Sequence, residues 1–381
     1  MENATPFYTA AREVSALIVN HFLYHMEIAR QRGTVEVALP PDVRTVENMI
    51  DVAFWTSLRK EEGRSPRISL VYLSPEQARK TLVLTKPLLF TPENLTKLAP
   101  GLERSGIHLG IWRMEEELYI WGSTLSVPDL SFVLDVSEPA LLVIKHRSLS
   151  GYGKFTNVAV LQGDKVKVVD ETKGISEDAP AILQWLMGAE LPLARNESVN
   201  ILIQLALSMR SHGRGGILLV VPGDSDAWMD SIIQPMSYAI TPRVQSLAEL
   251  VRSNGSEISP NMWQTALRRE IDHLAGLTAI DGATVITENH QLLAFGAKIG
   301  MKEGGSRVKR ISVIEPIAGS EARVIHPAQG GGTRHLSAAQ FVHDQRNATA
   351  LVASQDGQFT IIHWSEARKS LLAHRIESLL L

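Results

Sequence analysis

The stretch ETKGISEDAP, residues 171 to 180, separates two sequences of different character, and no other feature constrains the fold as strongly. Ahead of it lie short β-branched runs broken by Pro, Gly and Asp, the punctuation of a sheet with tight turns. Behind it, helical periodicity alternates with short apolar runs. A polar segment carrying Gly and Pro at such a change of pattern reads as a linker. The chain is therefore expected to form two domains, residues 1–190 and 191–381. Its 381 residues, 44% of them hydrophobic, supply enough apolar material for two cores.

In the first half, Val14, Leu17, Ile18, Phe22 and Ile28 recur at three- and four-residue spacing, which predicts a helix from about Ala10 to Arg32, closed by Gly33. The runs RISLVYL, LYIWG, SFVLDV and ALLVIKH predict strands, and NVAVLQGDKVKVVD (157–170) a hairpin turning at Gly163-Asp164. This half is expected to be α+β. In the second half the spacing predicts helices over Ser198–Met209 and Asn261–Leu274, strands at ILLVV (217–221) and ATVIT, and a hairpin return at NHQLLAFGAKI. LVASQDGQFTIIHW (351–364) should close the sheet, and SEARKSLLAHRIESLLL is expected to end the chain as a helix.

Composition excludes several chemistries. Cysteine is absent, so disulfides, thiolate metal sites and thiol nucleophiles are ruled out together. Lys and Arg total 38 against 41 Asp and Glu, and a net charge of −3 gives no bulk attraction to nucleic acid or an acidic membrane. No run approaches the 18 or so apolar residues of a membrane span, and MENATPFYTAAREVS lacks a signal-peptide pattern. A soluble, cytoplasmic protein is the expectation.

Three segments of the second half set short polar residues against apolar strands: Asp281-Gly282-Ala283, Gly332-Thr333-Arg334-His335 after two further glycines, and Ser354-Gln355-Asp356-Gly357. Glycines before Thr333 would let backbone N–H groups approach an oxyanion, the hydroxyl could add a bond, and Arg334 offers a planar fork suited to phosphate. Asp281 is an oxygen donor able to hold Mg²⁺ or Mn²⁺ or to orient a hydroxyl, and Gly282 and Ala283 would leave room for a base or sugar. Taken singly, a DG pair is an ordinary turn and a glycine triplet an ordinary loop. Neither a P-loop nor a complete G-x-G-x-x-G is present.

In that order, DGA at 281–283, GTRH at 332–335 and VASQ at 352–355, together with NILIQLALSMRSHGRGGILLVV, resemble the diadenylate cyclase domain shared by the DNA-integrity scanning protein and the membrane-bound cyclic di-AMP synthases. The resemblance implies a mixed sheet flanked by helices, one ATP per subunit, and a homodimer or larger homo-oligomer with facing sites that makes cyclic di-AMP with Mg²⁺ or Mn²⁺. It implies that Asp281 assists the metal and activates the 3′-hydroxyl, and that Gly282 and Ala283 shape the nucleoside pocket. Gly332, Thr333, Arg334 and His335 would hold the phosphates, and Ser354 would contact phosphate or metal. The first half resembles the DACNV-type sensor class found fused to such domains.

The family motif continues with a second arginine where this chain has Leu336, which cannot donate to phosphate. Losing such a donor costs roughly 3 to 4 kcal/mol of transition-state stabilisation. The alternative implied is a nucleotide-binding sensor with weakened or lost turnover. Lys298 or Arg307 could substitute. Of the remaining candidates, His21 and His25 lie four apart and could share a metal, but HFLYH lacks the glutamate of HExxH, and helix packing is the favoured reading. GYGKF (151–155) reads as a turn, HGRGG (212–216) as a structural connection, and the scattered tryptophans as packing residues.

Overall fold

The computed structural model describes residues 7–33, 37–104, 106–149, 155–170, 178–187, 193–236, 238–253, 259–330 and 332–381. Most of the linker (171–177), most of GYGKF (151–154) and the middle glycine of the triplet, Gly331, lie outside the described residues. The chain divides into two compact units, Met1–Val169 with Leu381, and Asp170–Leu380. The division falls at the end of the first sheet.

The first unit opens with two helices, α1 (Thr9–Gln31) and α2 (Val43–Ser57, capped by Asp42 accepting from the Thr45 N–H). Strands β1 (Ile68–Tyr72) and β2 (Arg79–Leu89) follow, then α3 (Pro92–Leu98). Six more strands complete the unit: β3 (His108–Met114), β4 (Glu117–Ser126), β5 (Phe132–Glu138), β6 (Leu141–Arg147), β7 (Phe155–Gln162) and β8 (Lys165–Val168). They form one mixed sheet in the order β2-β4-β3-β1-β5-β6-β7-β8, parallel at β1–β3 and otherwise antiparallel. Gln162 pairs with Lys165 across the expected Gly163-Asp164 turn. Alternation buries Leu70, Ile111, Leu134 and Ile144 with Ile18 and Phe22 of α1 and Met49 and Ile50 of α2 in one core cluster. Leu17, read as part of that face, points outward.

The second unit begins with α4 (Ala181–Leu186), α5 (Leu193–Ser211) and β9 (Gly216–Val221), continues through β10 (Ala239–Val244), α6 (Ser246–Ser253) and α7 (Pro260–Leu277), and reaches β11 (Ala283–Thr287) and β12 (Leu292–Ala297). Strands β13 (Ile311–Ile314) and β14 (Arg323–Ile325) precede α8 (Gly332–Asp344), and β15 (Thr349–Ala353), β16 (Phe359–Ser365) and β17 (Ser370–Arg375) follow it. The sheet order is β10-β12-β11-β9-β15-β16-β17-β13-β14, with β9–β11 and β13–β17 parallel. Helix α8 packs on one face through Ala338, Ala339, Phe341 and Val342, while α5 packs on β15 and α7 on β12. Every residue of β9 is buried, as expected of a strand covered on both sides. The unit is a mixed α/β one, a mixed sheet with helices packed on it.

Two expectations need correction. The chain does not end in a helix: β17 pairs with β16 and β13, and a short 3-10 turn at Glu377–Leu379 follows. Leu371, Leu372, Ala373 and His374 are all buried, so the strand lacks the alternation that would have distinguished it from a buried helix. The glycine triplet, in turn, runs into the first turn of α8.

Inside this second sheet His363 and His374 meet, Nε2 to Nε2, at 3.2 Å. His363 Nδ1–H donates to the Trp364 carbonyl at 3.2 Å, so its Nε2 accepts from His374. Burial, then the neighbouring His363 and Arg368, pushes His374 down to about 3, and burial also lowers His363. A folded-state value depressed below the unfolded one means stability is full above about pH 6.5 and falls as the solution is acidified toward pH 3. The slope is roughly 1.4 kcal/mol per pH unit for each such histidine. Urea midpoints of the second unit are therefore expected to drop between pH 7 and pH 5, with a shallower drop in His374→Phe. Identical slopes in the two proteins would remove this pair from the acid response.

Candidate functional site

Strands β9 and β11 are parallel neighbours with Ala283 opposite Ile217, so both begin at the same end of the sheet. Antiparallel β15 finishes there, Ala353 opposite Gly216, and β12 finishes beside β11, Ala297 opposite Ala283. Asp281-Gly282, Arg214-Gly215, Ser354 and Lys298 thus surround one sheet end, although they are far apart in sequence. The first turn of α8 arrives at the same place. A Cβ on Gly215 would lie 3.1 Å from Arg334 Nη1 and 3.1 Å from the Ala353 carbonyl, so the glycine makes room for the guanidinium.

Asp281 is the most open group here, its side chain 95% exposed, and it is paired with the Lys298 ammonium. The hydrogen bond from Lys298, then its charge, with a further pull from Arg334, holds the Asp281 carboxyl below the usual carboxylate range. The acid near the start of β11 and the arginine of α8 therefore act on each other across 53 positions (334 − 281). Gly332 and Thr333 are exposed at the beginning of α8, Gly332 at φ +74°, where the helix N-terminus favours anions.

Other expected residues serve differently. His335 is turned inward, 5% exposed, with Nε2 3.1 Å from the Thr360 hydroxyl, beneath the loop that carries Asp356. Ala283 is fully buried. Gly282, at φ +119°, is pressed against β12: a Cβ there would sit 2.4 Å from the Gly296 carbonyl carbon. Its missing side chain accommodates the backbone of β12. Leu336 packs against the core of the unit, and Arg307 is exposed in the connection before β13.

The loop after β15 turns tightly, with the Ser354 N–H donating to the Gln358 carbonyl at 2.9 Å. The Ser354 hydroxyl donates to Asp356, and that bond is the main reason the Asp356 carboxyl sits low. The HGRGG turn is pinned as well. Arg214 N–H donates to His212 Nδ1 at 3.1 Å, which leaves His212 Nε2–H to donate to the Thr278 hydroxyl at 3.2 Å. This turn, and Lys298 as the partner of Asp281, were not assigned to the site from sequence, because only the parallel pairing of β9 with β11 brings their loops together. Tyr238 was missed for the same reason: it stacks on Phe295 at 5.1 Å and lies over Gly296, half-exposed beside Gly282.

The oxygen donors at this rim are the Asp281 carboxylate, paired with Lys298, and, in the loop after β15, the Ser354 hydroxyl and the Asp356 carboxylate. Such a set suits Mg²⁺ or Mn²⁺, ions that take one or two protein carboxylates and complete their shell with water and phosphate. A cleft of about 480 Å³ at the opposite end of β9, lined by Val221, Asp224, Trp228 and Arg346 among others, contains none of the expected residues.

The first unit holds a serine, a histidine and an aspartate in contact, but not in the order of a nucleophilic triad. Ser69 Oγ donates to Asp135 at 2.5 Å and lies 2.8 Å from His108 Nδ1, which therefore donates to it. The serine proton is committed to Asp135, which also receives Lys145, and burial pushes His108 down to about 4. The row is a neutral-histidine polar network that fixes β1, β3 and β5 to one another.

The family model described as "Probable sensor domain DACNV" matches residues 35–125, within the first unit. It is a domain found in diadenylate cyclases. No curated protein matches the chain. Among the described residues no helix is long and apolar enough to cross a membrane.

Proposed function

We propose that this protein is a sensor-coupled diadenylate cyclase, condensing two ATP into cyclic di-AMP and two pyrophosphates. The observation that carries the reading is the meeting of Asp281 and Lys298 with the anion-favouring start of α8 and Arg334 at one sheet end. The chain's other unit matches a sensor domain found in cyclases, which supports the same reading.

In this mechanism each 3′-oxygen bonds to the α-phosphorus of the ATP on a facing subunit, and the bond from that phosphorus to the bridging oxygen breaks. Asp281 orients the 3′-hydroxyl and receives its proton. The N–H groups and Thr333 hydroxyl at the start of α8, with Arg334, hold the phosphate oxygens as charge grows on them. Lys298, released from Asp281 when substrate enters, supplies the cation that Leu336 does not. His335 is a positioning residue, anchoring α8 to β16 through Thr360. Asp281, with Ser354 contributing from the loop after β15, would hold Mg²⁺ or Mn²⁺, which would neutralise phosphate charge. Two chains face each other because one supplies only half of the reacting groups.

Incubation with ATP and Mn²⁺ is expected to yield cyclic di-AMP. A second reading follows from Leu336, whose packing into the core leaves the site without a second arginine: the unit binds nucleotide and does not turn it over. ATP binding without product would establish that reading, and absence of ATP binding would overturn both.

A further inference from the structure

Helix α1 presents His21 and His25 one turn apart, and the first unit's sheet brings a third imidazole to them. His146, on β6, lies with ring centroids 5.4 Å from His21 and 5.1 Å from His25, which are themselves 4.4 Å apart. One nitrogen from each of the three falls within 4.8 Å of the others. We propose that His21, His25 and His146 form a three-histidine site for a late divalent transition metal, Zn²⁺ in the first instance, in the first unit.

The surroundings fit that assignment. Phe22, one residue after His21, packs at 5.5 Å on Phe132 and at 5.8 Å on His146, so the aromatic floor beneath the trio is fixed by the core. His146 Nδ1–H donates to the Arg147 carbonyl at 3.1 Å. That bond selects the tautomer that carries its lone pair on Nε2, the same support that ligating histidines receive from a carbonyl or carboxylate. The flanking cations do not repel a metal: along β6 the side chains alternate, placing Lys145 and Arg147 on the other face, where they pair with Asp135 and Asp129.

The donor set decides which ion is bound. Neutral imidazoles without thiolate or carboxylate favour Zn²⁺, Ni²⁺ and Cu²⁺ over Mg²⁺, Mn²⁺ or Ca²⁺, which seek oxygen. With Zn–N bonds of about 2.0 Å the three nitrogens close to roughly 3.3 Å from one another, leaving a fourth position for water or another ligand. His21 and His25 are half-buried and can rotate toward the fixed His146. Sequence showed only the i, i+4 pair; the third ligand lies 121 positions after His25 (146 − 25) and is supplied by sheet topology.

The test is titration of the full chain with Zn²⁺ alone, by calorimetry and equilibrium dialysis, with Co²⁺ as a spectroscopic probe. One site per chain is expected in the micromolar range or tighter, with a tetrahedral-type Co²⁺ spectrum. His25→Gln and His21→Gln should each weaken Zn²⁺ by about 100-fold and abolish that spectrum. Asp281→Asn should leave both unchanged, which separates this site from the one proposed for nucleotide. Should His146→Gln fail to fold, the two α1 variants, at half-buried positions, decide the matter. Zn²⁺ affinity equal to wild type in both, or no Zn²⁺ bound by the wild-type chain, would overturn the proposal.

Discussion

Asp281→Asn is expected to lower cyclic di-AMP formation by at least about a thousandfold while leaving the thermal unfolding midpoint unchanged. The two halves of that expectation have separate causes. Asparagine keeps the size of the side chain but can neither accept the 3′-hydroxyl proton nor offer a carboxylate to a divalent ion, and losses of this order follow removal of a group used in the transition state. Stability is untouched because the Asp281 side chain is 95% exposed and its ion pair with Lys298 is solvated on both sides. Production of cyclic di-AMP at the wild-type rate would exclude Asp281 from the chemistry; a lowered midpoint would show that the pair with Lys298 holds the loop. Arg334→Ala should instead raise the ATP requirement as well as slow turnover, because the guanidinium would contact phosphate in the ground state too.

Gly282→Ala should fail for a mechanical reason. The added methyl would stand 2.4 Å from the Gly296 carbonyl carbon and 2.6 Å from its oxygen, at a φ of +119° that side chains rarely adopt. Both partners are backbone in paired strands and cannot swing aside. Overpacking and backbone strain together are expected to cost about 4 kcal/mol, or roughly 10 °C in the midpoint of a unit this size. Turnover should fall with the folded fraction, so calorimetry separates this variant from Asp281→Asn. An unchanged midpoint would mean that β11 and β12 can part at that point without penalty.

Where sequence and structure agree, the residues show a period, a turn signal or a short β-branched run between breakers. The α1 face has the first, the hairpin at Gly163-Asp164 the second, and ILLVV and ATVIT, buried throughout, the third. Where they disagree, the period vanishes. β17 is buried on both faces, so SLLAHR resembles any apolar run, and β2, exposed along its length, has no inward face to display. The site was legible as residue types but not as geometry. Asp281, Thr333, Arg334 and Ser354 could be named because their chemistry is local. The inward turn of His335, the backbone contact that Gly282 serves, and the parts taken by Gly215 and Lys298 depend on which strands run parallel, and no local pattern encodes that. His146 escaped for the same reason: nothing near it in sequence is a histidine.

Helix α8 changes character within a single turn, Thr333 and Arg334 facing water while His335 and Leu336 sink toward the sheet. Rolling the helix by one residue, about 100°, would drive a guanidinium into hydrocarbon and lift a leucine out of it. The shaft is keyed. Its aim is set by greasy neighbours more than by the pull of Asp281, so the direction in which Arg334 points should survive high salt, and the very leucine that departs from the family motif is what holds it there.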